Sequence, residues 1–217
     1  MSTAVRDLPE PARIALLAAR ELADGETCFV GIGIPSDAAL LAKHTHAPDL
    51  TLIYESGAIA ADPEIPPLST GSPSIADSSL MIADGLTVFS DLQAGYIDVG
   101  LLSAAQVDQS GNLNSTIIGE YLNPKLRMVG SGGAHDIMCL AKRVVVMMPH
   151  DPRRFVERVD FITSPGLFPD LRKELHLGGG PTSLVTDRAR FVFENNELTL
   201  KSLFPGFSRT DAVEGIP

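Results

Sequence analysis

The sequence predicts an α/β protein with an open, mostly parallel sheet flanked by helices, and with antiparallel hairpin strands toward the C-terminus. Residues 27–54 support this prediction, because they run in the order strand, glycine turn, helix, strand that builds parallel sheets. Residues 143–148 form a β-branched run that is typical of a central strand. The length of 217 residues fits one domain that spans 1–217.

The N-terminal part of the chain is predicted to alternate helices and strands. Residues 9–23 carry apolar side chains at helical spacing, and Gly25 follows as a stop signal. A buried strand is expected at 27–32. It leads through a glycine turn into a helix at 37–43, for which Ser36 is the expected N-cap.

The middle of the chain is less periodic. A strand at 50–54 is followed by residues 58–85, which are rich in Pro, Gly and Ser and predict a long ordered loop with a functional or interface role. A short helix is expected at 87–94 and another strand at 97–102. Residues 104–118 are predicted to form a hairpin.

The last part of the chain is predicted to be mainly β. A short polar segment is expected at 151–158. The strands that follow it, which we expect to pair antiparallel, are predicted at 183–187, 190–194 and 197–203. Asn195 and Asn196 tolerate positive φ and are the expected turn between the last two strands.

Composition and charge exclude several classes of protein. A hydrophobic content of 44% with 20% charged residues is typical of a soluble globular chain rather than a disordered one. The net charge of −10 argues against nucleic acid or an anionic membrane as a partner. No apolar run is long enough to cross a membrane, and residues 1–13 lack a signal-peptide pattern, so a cytoplasmic location is expected.

Cysteine and histidine usage predicts no metal site. Cys28 and Cys139 lie far apart beside apolar residues, which favours two small core residues over a disulfide or a pair of metal ligands. The five His are scattered along the chain, and His44 and His46 are expected on the surface.

Glu55 is the strongest candidate for chemistry. It ends an apolar strand and is followed by Ser56 and Gly57, small residues that leave room for a substrate. A carboxylate that attacks a substrate needs such a position, held by a rigid element and exposed on one side. The alternative is a solvated turn residue, which is the common role of a Glu beside a Gly.

Two glycine turns are weaker candidates for a ligand site. Gly31 and Gly33 form a strand-to-helix turn, but they fail as a dinucleotide fingerprint because Ser36 stands where the third glycine should be. Asn114 lies just past the hairpin turn at Gly111, where its amide could donate and accept toward a ligand. Ordinary turn chemistry explains the same residues.

The segment Gly130–Ala134 is the third glycine-rich turn. Glycines at positions 130, 132 and 133 leave the backbone N–H groups around Ser131 unshielded, and they permit conformations that point several of them at one anion. Such a turn can stabilise an oxyanion that forms on a carbonyl carbon. A flexible loop or a close packing site is the alternative.

Taken together, these motifs resemble a known family. The sequence contains Gly-Ile-Gly-Ile-Pro, Glu-Ser-Gly, Ile-Asp-Val-Gly, Gln-Val-Asp, Gly-Asn-Leu-Asn and Gly-Ser-Gly-Gly-Ala in that order. This succession resembles the β (B) subunit of family I coenzyme A transferases, particularly the glutaconate and 3-oxoadipate type, from Ala18 to Phe207.

The resemblance implies roles for the candidate residues. It implies that Glu55 is the nucleophile and that the amides of Gly132 and Gly133 are oxyanion donors. The residues expected to bind substrate or CoA, from the turns and the resemblance together, are Gly31, Gly33, Ser56, Gly57, Asn114, Gly130 and Ser131. Tyr54 and Ser56 depart from the strictest family pattern, which has Ser and Asn on either side of the Glu.

The resemblance also implies an activity. A member of this family moves CoA from an acyl-CoA to a free acid, here expected to be a dicarboxylic acid, by a ping-pong mechanism through a glutamyl-CoA thioester. CoA is then a substrate, and neither a permanent cofactor nor a metal is expected. An A (α) subunit is the expected partner in a heterotetramer or larger assembly, with the active site at the junction of the two subunits.

Two other functions fit the same residues. One is an acyl-CoA hydrolase on the same scaffold, in which water replaces the acceptor acid. The other is a non-catalytic module that binds acyl-CoA or a sugar phosphate. Retention of Glu55 favours the transferase, and the acidic charge of the chain disfavours a DNA-bound regulator.

Overall fold

The computed structural model of the chain describes residues 5–194 and 197–217. The helices there are α1 Glu10–Ala19, α2 Ile34–Lys43, α3 Pro73–Asp77, α4 Gly85–Gln93, α5 Ala134–Leu140, α6 Pro169–Glu174 and α7 Arg209–Val213, with a 3₁₀ turn at Pro152–Arg154. The strands are β1 Thr27–Val30, β2 Thr51–Tyr54, β3 Ala58–Ile59, β4 Met81–Ile82, β5 Val99–Ser103, β6 Gln106–Val107, β7 Leu113–Asn114, β8 Ile117–Glu120, β9 Asn123–Arg127, β10 Arg143–Met147, β11 Pro181–Val185, β12 Ala189–Glu194 and β13 Glu197–Leu203.

Nine of these strands form one sheet in the order β13-β12-β11-β10-β5-β1-β2-β3-β4. The five central strands, from β11 to β2, run parallel, and antiparallel strands complete both edges. If the five parallel strands alone are numbered 1 to 5 in chain order, their order across the sheet from β2 to β11 is 2-1-3-4-5. This is the strand order of a doubly wound α/β fold. The predicted fold class is confirmed.

This topology defines where a ligand site is expected. The chain order reverses between β1 and β5, because β1 is followed by β2 on one side and by β5 on the other. In open α/β sheets, ligands bind outside the carboxyl ends of the strands at such a reversal. The residues after Val30 and around Ser103 therefore lie at the expected crevice.

Helices cover both faces of the sheet, and each face has its own core. Ile14 of α1 packs in one core with Leu52 and Tyr54 of β2. Val88 of α4 lies in the other core with Ile53, because successive strand residues point to opposite faces. β2 therefore packs on both faces of the sheet, and this packing holds the backbone rigid up to Glu55, the residue that follows the strand.

Most predicted elements are present with shifted ends. The helix predicted at 9–23 ends at Ala19, and the strand predicted at 27–32 ends at Val30. The helix and strand expected at 87–94 and 97–102 are α4 and β5, and the strand expected at 143–148 is β10, which is central as predicted. Cys28 and Cys139 are buried, and His44 and His46 are exposed, as expected.

The prediction that Ser36 caps a helix is wrong. α2 begins at Ile34 and has Gly33, at φ +82°, as its N-cap. Pro35 suits the first turn of a helix, where the N–H that proline lacks would have no partner. Ser36 is instead buried within the helix, and its Oγ lies 2.9 Å from the Tyr54 hydroxyl. This hydrogen bond ties α2 to β2 directly beneath Glu55.

The predicted loop at 58–85 contains regular structure, so the prediction of an irregular loop is wrong there. β3 and β4 extend the sheet antiparallel beyond β2, and α3 lies between them in the chain. Strands of two residues are too short to show an alternating pattern in sequence.

The predicted hairpins are confirmed in part. β6 pairs with β7 within 104–118, but β8 pairs with β9 in a second hairpin that extends to Arg127 and was not predicted. β11 runs parallel to β10, so the prediction of antiparallel pairing is wrong for that strand and confirmed for β12 and β13. The turn expected at Asn195 and Asn196 lies outside the described residues.

Across the described residues, no helix combines the length and the apolar composition needed to cross a membrane.

Candidate active site

Two adjoining openings lie at the carboxyl ends of the parallel strands. One, of about 410 Å³, is lined by residues that follow β1, by the end of β5 and by the segment 130–134. The other, of about 610 Å³, adds Ser56, Phe89 and Asp136. The residues that line both openings are Glu55, Thr70, Gly132 and Gly133. The crevice expected from the strand order is therefore present, and Glu55 lines both of its openings.

A tight turn presents Glu55 to these openings. The Gly57 N–H donates to the Tyr54 carbonyl at 2.9 Å, which places Glu55 and Ser56 at the corners of the turn. Gly57 has φ +108°, and a Cβ at this position would lie 2.0 Å from the Ala83 carbonyl oxygen. Only glycine fits there. The Glu-Ser-Gly motif thus combines a reactive side chain with the backbone that exposes it.

The segment that carries Thr70 is attached to this turn. The Ser56 hydroxyl donates to the Thr70 carbonyl at 2.6 Å. Thr70 belongs to the Pro-, Gly- and Ser-rich stretch for which the sequence predicted a functional role, and it lines both openings. This stretch therefore forms part of the wall around Glu55.

The Glu55 carboxylate has no partner within the described part of the chain. Among residues 5–194 and 197–217, no donor hydrogen-bonds to it and no cationic side chain lies within 4.0 Å. The residue is half-buried. A carboxylate in this state keeps its lone pairs for a bound substrate.

The glycine segment faces the same carboxylate. A Cβ on Gly133 would lie 3.1 Å from Glu55 Oε2 and 2.7 Å from Cζ of Phe89. Phe89 is itself held by Phe29 of β1, with ring centroids 5.4 Å apart. The backbone of Gly133 can approach Glu55 because it carries no side chain.

Amide donors are free in this segment. Gly130 and Gly132 have φ values of +89° and +49°. Within the described residues, the N–H groups of Ser131, Gly132 and Gly133 donate to no protein acceptor. Amides that point into a site without a partner can bind an anion or an oxyanion.

Two titratable groups stabilise the elements around the site. Burial raises the pKa of the Tyr54 hydroxyl, which stays protonated in its bond to Ser36. Hydrogen bonds from the N–H and hydroxyl of Thr87 lower the pKa of Asp84, the N-cap of α4. An ionised Asp84 strengthens the start of the helix that carries Phe89.

The structure brings most of the predicted site residues together. Those that line the two openings are Glu55, Gly31, Ser56, Gly130, Ser131, Gly132 and Gly133. Gly33 and Gly57 do not line them and act as backbone hinges, at the start of α2 and in the Glu55 turn respectively.

The structure does not bring Asn114 to the openings. Its side chain is fully buried, and its Nδ2 donates to Gln106 Oε1 at 2.7 Å and to the Ile117 carbonyl at 2.6 Å. Its Oδ1 accepts from the Thr116 N–H at 3.0 Å. The amide therefore links the two hairpins instead of facing a ligand.

Several lining residues were missed at the level of sequence. Ser103 could have been found, because it ends a buried parallel strand beside β1. Thr70, Phe89, Ser115 and Asp136 reach the openings through long-range packing that no local pattern indicates. No group of three or more His, Cys, Asp or Glu side chains in the described ranges is placed to hold a metal ion.

Comparison with known proteins places this chain in a family. The sequence profile described as Coenzyme A transferase matches residues 12–215. The chain belongs to the coenzyme A transferase family. It is 45% identical over 207 residues to the B subunit of 3-oxoadipate CoA-transferase from Pseudomonas knackmussii, a match that covers 93% of this chain and 80% of that protein.

Other members of the coenzyme A transferase family give the same result. The B subunit of glutaconate CoA-transferase from Acidaminococcus fermentans is 34% identical over 211 residues, covering 92% of this chain and 79% of that one. The crystal structure of glutaconate coenzyme A-transferase from the same organism superposes with a TM-score of 0.89 at 32% identity, over 97% of this chain and 85% of that one. The family resemblance inferred from the motifs is confirmed.

The fold of this coenzyme A transferase family member occurs with other activities. The crystal structure of the decarboxylase AibA/AibB has a TM-score of 0.81 over 97% of this chain and 84% of that one, at 24% identity. This likeness shows the fold alone. The closer relatives favour the expected transferase over the hydrolase and binding-module alternatives.

Proposed function

We propose that this protein is the B subunit of a CoA-transferase in which Glu55 is the nucleophile. The observation that carries the proposal is that the Glu55 carboxylate lies beside Gly133, in an opening that Gly132 also lines, and that the carboxylate and the N–H groups of both glycines have no partner among the described residues. One group can attack a thioester carbonyl, and the other can stabilise the oxyanion that the attack creates.

The first half-reaction would transfer CoA to the protein. A Glu55 oxygen attacks the carbonyl carbon of the acyl-CoA, and the oxyanion accepts hydrogen bonds from Gly132 and Gly133. Collapse expels the CoA thiolate and leaves an acyl-glutamyl anhydride. The thiolate then attacks the Glu55 carbonyl carbon, which releases the free acid and forms a glutamyl-CoA thioester. Each oxyanion donor in such a site typically contributes about 3 kcal/mol.

The second half-reaction would run the same steps in reverse with the acceptor acid. Each step forms one activated acyl bond as another breaks, so the scheme requires neither ATP, metal nor a permanent cofactor. CoA enters and leaves as part of a substrate. Because the first acid departs before the acceptor reacts, the kinetics are ping-pong.

The acid substrate is proposed to be a dicarboxylic acid. The relatives at 45% and 34% identity are named for 3-oxoadipate and glutaconate, both of which carry two carboxylates. No Lys or Arg among the described residues lines either opening. A cation for the second carboxylate and for the CoA phosphates is therefore proposed to come from a neighbouring subunit.

We propose an A subunit as that neighbour, covering the openings in a heterotetramer or larger assembly. The similar proteins are named as B subunits, which supports a multi-subunit enzyme. Exposed apolar residues are also present, and two of them lie at or near residues that line the openings. Leu68, near Thr70, is 96% exposed, and Val129, which lines one opening, is 99% exposed. Leu122, at the tip of the β8–β9 hairpin, is 94% exposed. Their exposure supports a partner that covers this part of the surface, because apolar patches exposed on an isolated chain mark interaction sites.

Two further expectations stay predictions. We treat residues 1–217 as one domain, since a single sheet runs from β1 to β13. A cytoplasmic location, without nucleic acid or membrane as a partner, remains the expectation from charge and composition.

The test of Glu55 uses the chain co-purified with its A subunit. After incubation with acyl-CoA alone, borohydride or hydroxylamine should modify Glu55 in a form that mass spectrometry detects. Glu55→Gln should remove this modification and lower transfer by roughly a thousandfold or more. Glu174→Gln, at an exposed site in α6, is the matched control. This variant should retain the modification of Glu55 and the transfer activity.

Two outcomes would contradict the proposal. One is full transfer by Glu55→Gln, and the other is a wild-type protein that turns over without any modified Glu55. The hydrolase alternative is tested by the release of free CoA with and without a dicarboxylic acid. A transferase consumes the acyl-CoA only when the acid is present and moves the CoA onto that acid, so no free CoA accumulates, whereas a hydrolase releases free CoA at the same rate without the acid.

A further inference from the structure

Side-chain packing does not hold Gly130 and Gly132 of the glycine segment 130–133 in place. A Cβ on Gly130 or Gly132 would meet no atom of the described residues within 4 Å, and both residues have positive φ. Glycine backbone without neighbours is free to sample many conformations. The direction of the amides at 131–133 therefore depends on the hydrogen bonds that hold the segment, as well as on the packing of Gly133 against Phe89.

The first end is tied to Ser115. The Gly130 N–H donates to the Ser115 carbonyl at 3.0 Å, and the Ser115 hydroxyl donates to the Gly130 carbonyl at 2.8 Å. Ser115 is held in turn by Thr163, whose Oγ1 accepts the Ser115 N–H at 2.9 Å. Thr163 Oγ1 also shares a hydrogen bond with Thr116 Oγ1 at 2.7 Å.

At its second end the segment runs into α5, and His135 of that helix is bonded back to Ser131. The His135 N–H donates to the Ser131 hydroxyl oxygen at 3.2 Å. On the other side of this residue, the ring Nδ1 lies 3.2 Å from the Thr163 carbonyl oxygen. Because a carbonyl oxygen only accepts, Nδ1 carries the proton in this bond. Both ends of the glycine segment thus lead to the same residue.

Thr163 is placed to act as a fixed point. It is 4% exposed, and its N–H donates to the Leu113 carbonyl of β7 at 2.9 Å. The neighbouring Ser164 forms a bridge to the same residue of β7. The backbone around Thr163 is therefore anchored independently of the glycine segment.

We propose that Thr163 is a positioning residue for the oxyanion donors: its hydroxyl and its carbonyl hold the two ends of the 130–133 segment, so that the amides of Gly132 and Gly133 face Glu55 before substrate binds. This inference rests on the proposed function. Oxyanion stabilisation depends on donors that need no reorganisation during the reaction, and a misplacement of about 1 Å can cost about 100-fold in rate.

The test separates the hydroxyl from the shape of the residue. Thr163→Val removes the hydroxyl and keeps the volume and the carbonyl, whereas Thr163→Ser keeps the hydroxyl. In the complex with the A subunit, we expect Thr163→Val to lower kcat roughly 10- to 100-fold with a KM for acyl-CoA within about twofold of wild type. Thr163→Ser should retain most of the activity. Thr182→Val, at an exposed site in β11, is the control.

A second readout distinguishes this inference from the proposed function. The rate at which acyl-CoA modifies Glu55 in a single turnover should fall in Thr163→Val by the same factor as kcat, while the modification still forms. If the wild-type protein forms no modified Glu55, the proposed function itself is wrong. If the wild-type protein forms it and Thr163→Val forms it at the same rate, only the positioning role of Thr163 is wrong. If Thr163→Val does not fold, Ser115→Ala removes the bond to the Gly130 carbonyl and should show the same loss of kcat.

Three results would overturn the inference. The first is wild-type kcat in Thr163→Val. The second is an equal loss in Thr163→Ser and Thr163→Val, because volume rather than the hydroxyl would then matter. The third is a rise in KM with kcat unchanged, because the residue would then affect binding and not the oxyanion donors.

Discussion

The carboxylate of Glu55 lies against the backbone of Gly133. The place where a Cβ would stand on Gly133 is 3.1 Å from Glu55 Oε2, although the two residues are far apart in the sequence. The end of β2 and the start of α5 bring them together at the carboxyl edge of the sheet. A glycine is needed at this point because a side chain would occupy the space between nucleophile and donors.

Gly133→Ala should damage activity more than stability. The new methyl group would lie 2.7 Å from Phe89 Cζ and 3.1 Å from Glu55 Oε2, so it would displace the carboxylate. We expect transfer to fall roughly 100-fold, with a loss in the free energy of unfolding of about 1–3 kcal/mol. Steady-state kinetics and urea unfolding measure the two effects.

The control for this prediction is the double variant Gly133→Ala, Phe89→Leu. Removing the aromatic ring opens the space next to the new methyl group, so part of the lost activity should return. Wild-type transfer by Gly133→Ala alone would show that the close contact between the Glu55 carboxylate and this backbone is not needed for the reaction.

Leu68 and Leu122 are predicted to contact the A subunit. Both are almost fully exposed, so Leu68→Glu and Leu122→Glu should leave the melting temperature of the isolated chain unchanged. Each should weaken association with the A subunit roughly tenfold or more, because a charge would enter an apolar interface. Leu175→Glu, after α6, is the control. Unchanged co-purification of both variants would show that association uses another surface.

Arg172 is predicted to be a major contributor to stability. Its guanidinium is buried, and burial lowers its pKa. It donates to the carbonyls of Met138, Pro165, Gly166 and Gly178. Arg172→Met would leave these acceptors without a donor, so we expect a loss of about 3 kcal/mol or more in the free energy of unfolding.

The matched control for Arg172 is Arg153, whose side chain is 89% exposed and pairs with Asp151. Exposed ion pairs contribute little, so Arg153→Met should leave the unfolding transition nearly unchanged. Equal effects of the two substitutions would show that the carbonyl contacts of Arg172 do not stabilise the fold.

Stability should fall below neutral pH because of His150. Burial is the main cause that lowers its pKa from 6.5, the charge of Arg188 adds to it, and Asp187 and Asp151 act in the opposite direction. The unfolded chain therefore takes up a proton at a higher pH than the folded chain. The contribution of His150 is complete above pH 6.5 and is lost as the pH falls from there toward the folded pKa.

This dependence can be measured by urea unfolding at several pH values on both sides of 6.5. His150→Gln removes the titrating group, so the slope of unfolding free energy against pH should become smaller than in wild type, whatever the absolute stability of the variant. The same slope in both proteins would assign the effect to other groups.

Local patterns account for the parts of the fold that a few neighbouring residues determine. The alternation in β2, with Ile53 on one face and Tyr54 on the other, follows from strand geometry. The end of β2 just before Glu55 and the turn at Gly57 follow from the residue types alone. The parallel pairing of β11 with β10 does not follow from residue types, because strand direction depends on long-range pairing.

The glycine segment shows the same division. Its three glycines indicate exposed amides, and the amides of Gly132 and Gly133 are free of acceptors among the described residues. The ties from Thr163 to Ser115 and His135 join residues that are distant in sequence, and no motif marks them. The second hairpin, β8–β9, was missed because most residues of β9 are exposed and show little alternation.

By itself, the sequence determined the α/β class, the place of Glu55 at a strand end and the family to which the chain belongs. Those properties depend on residue type and short spacing, which set local conformation. Only the tertiary structure decided that Gly133 lies next to Glu55 and Phe89. It also decided that the Asn114 amide forms hydrogen bonds within the two hairpins and that Thr163 connects to the glycine segment through Ser115 and His135. Contacts of this kind arise when separate elements pack, and their geometry is a property of the whole sheet and its helices.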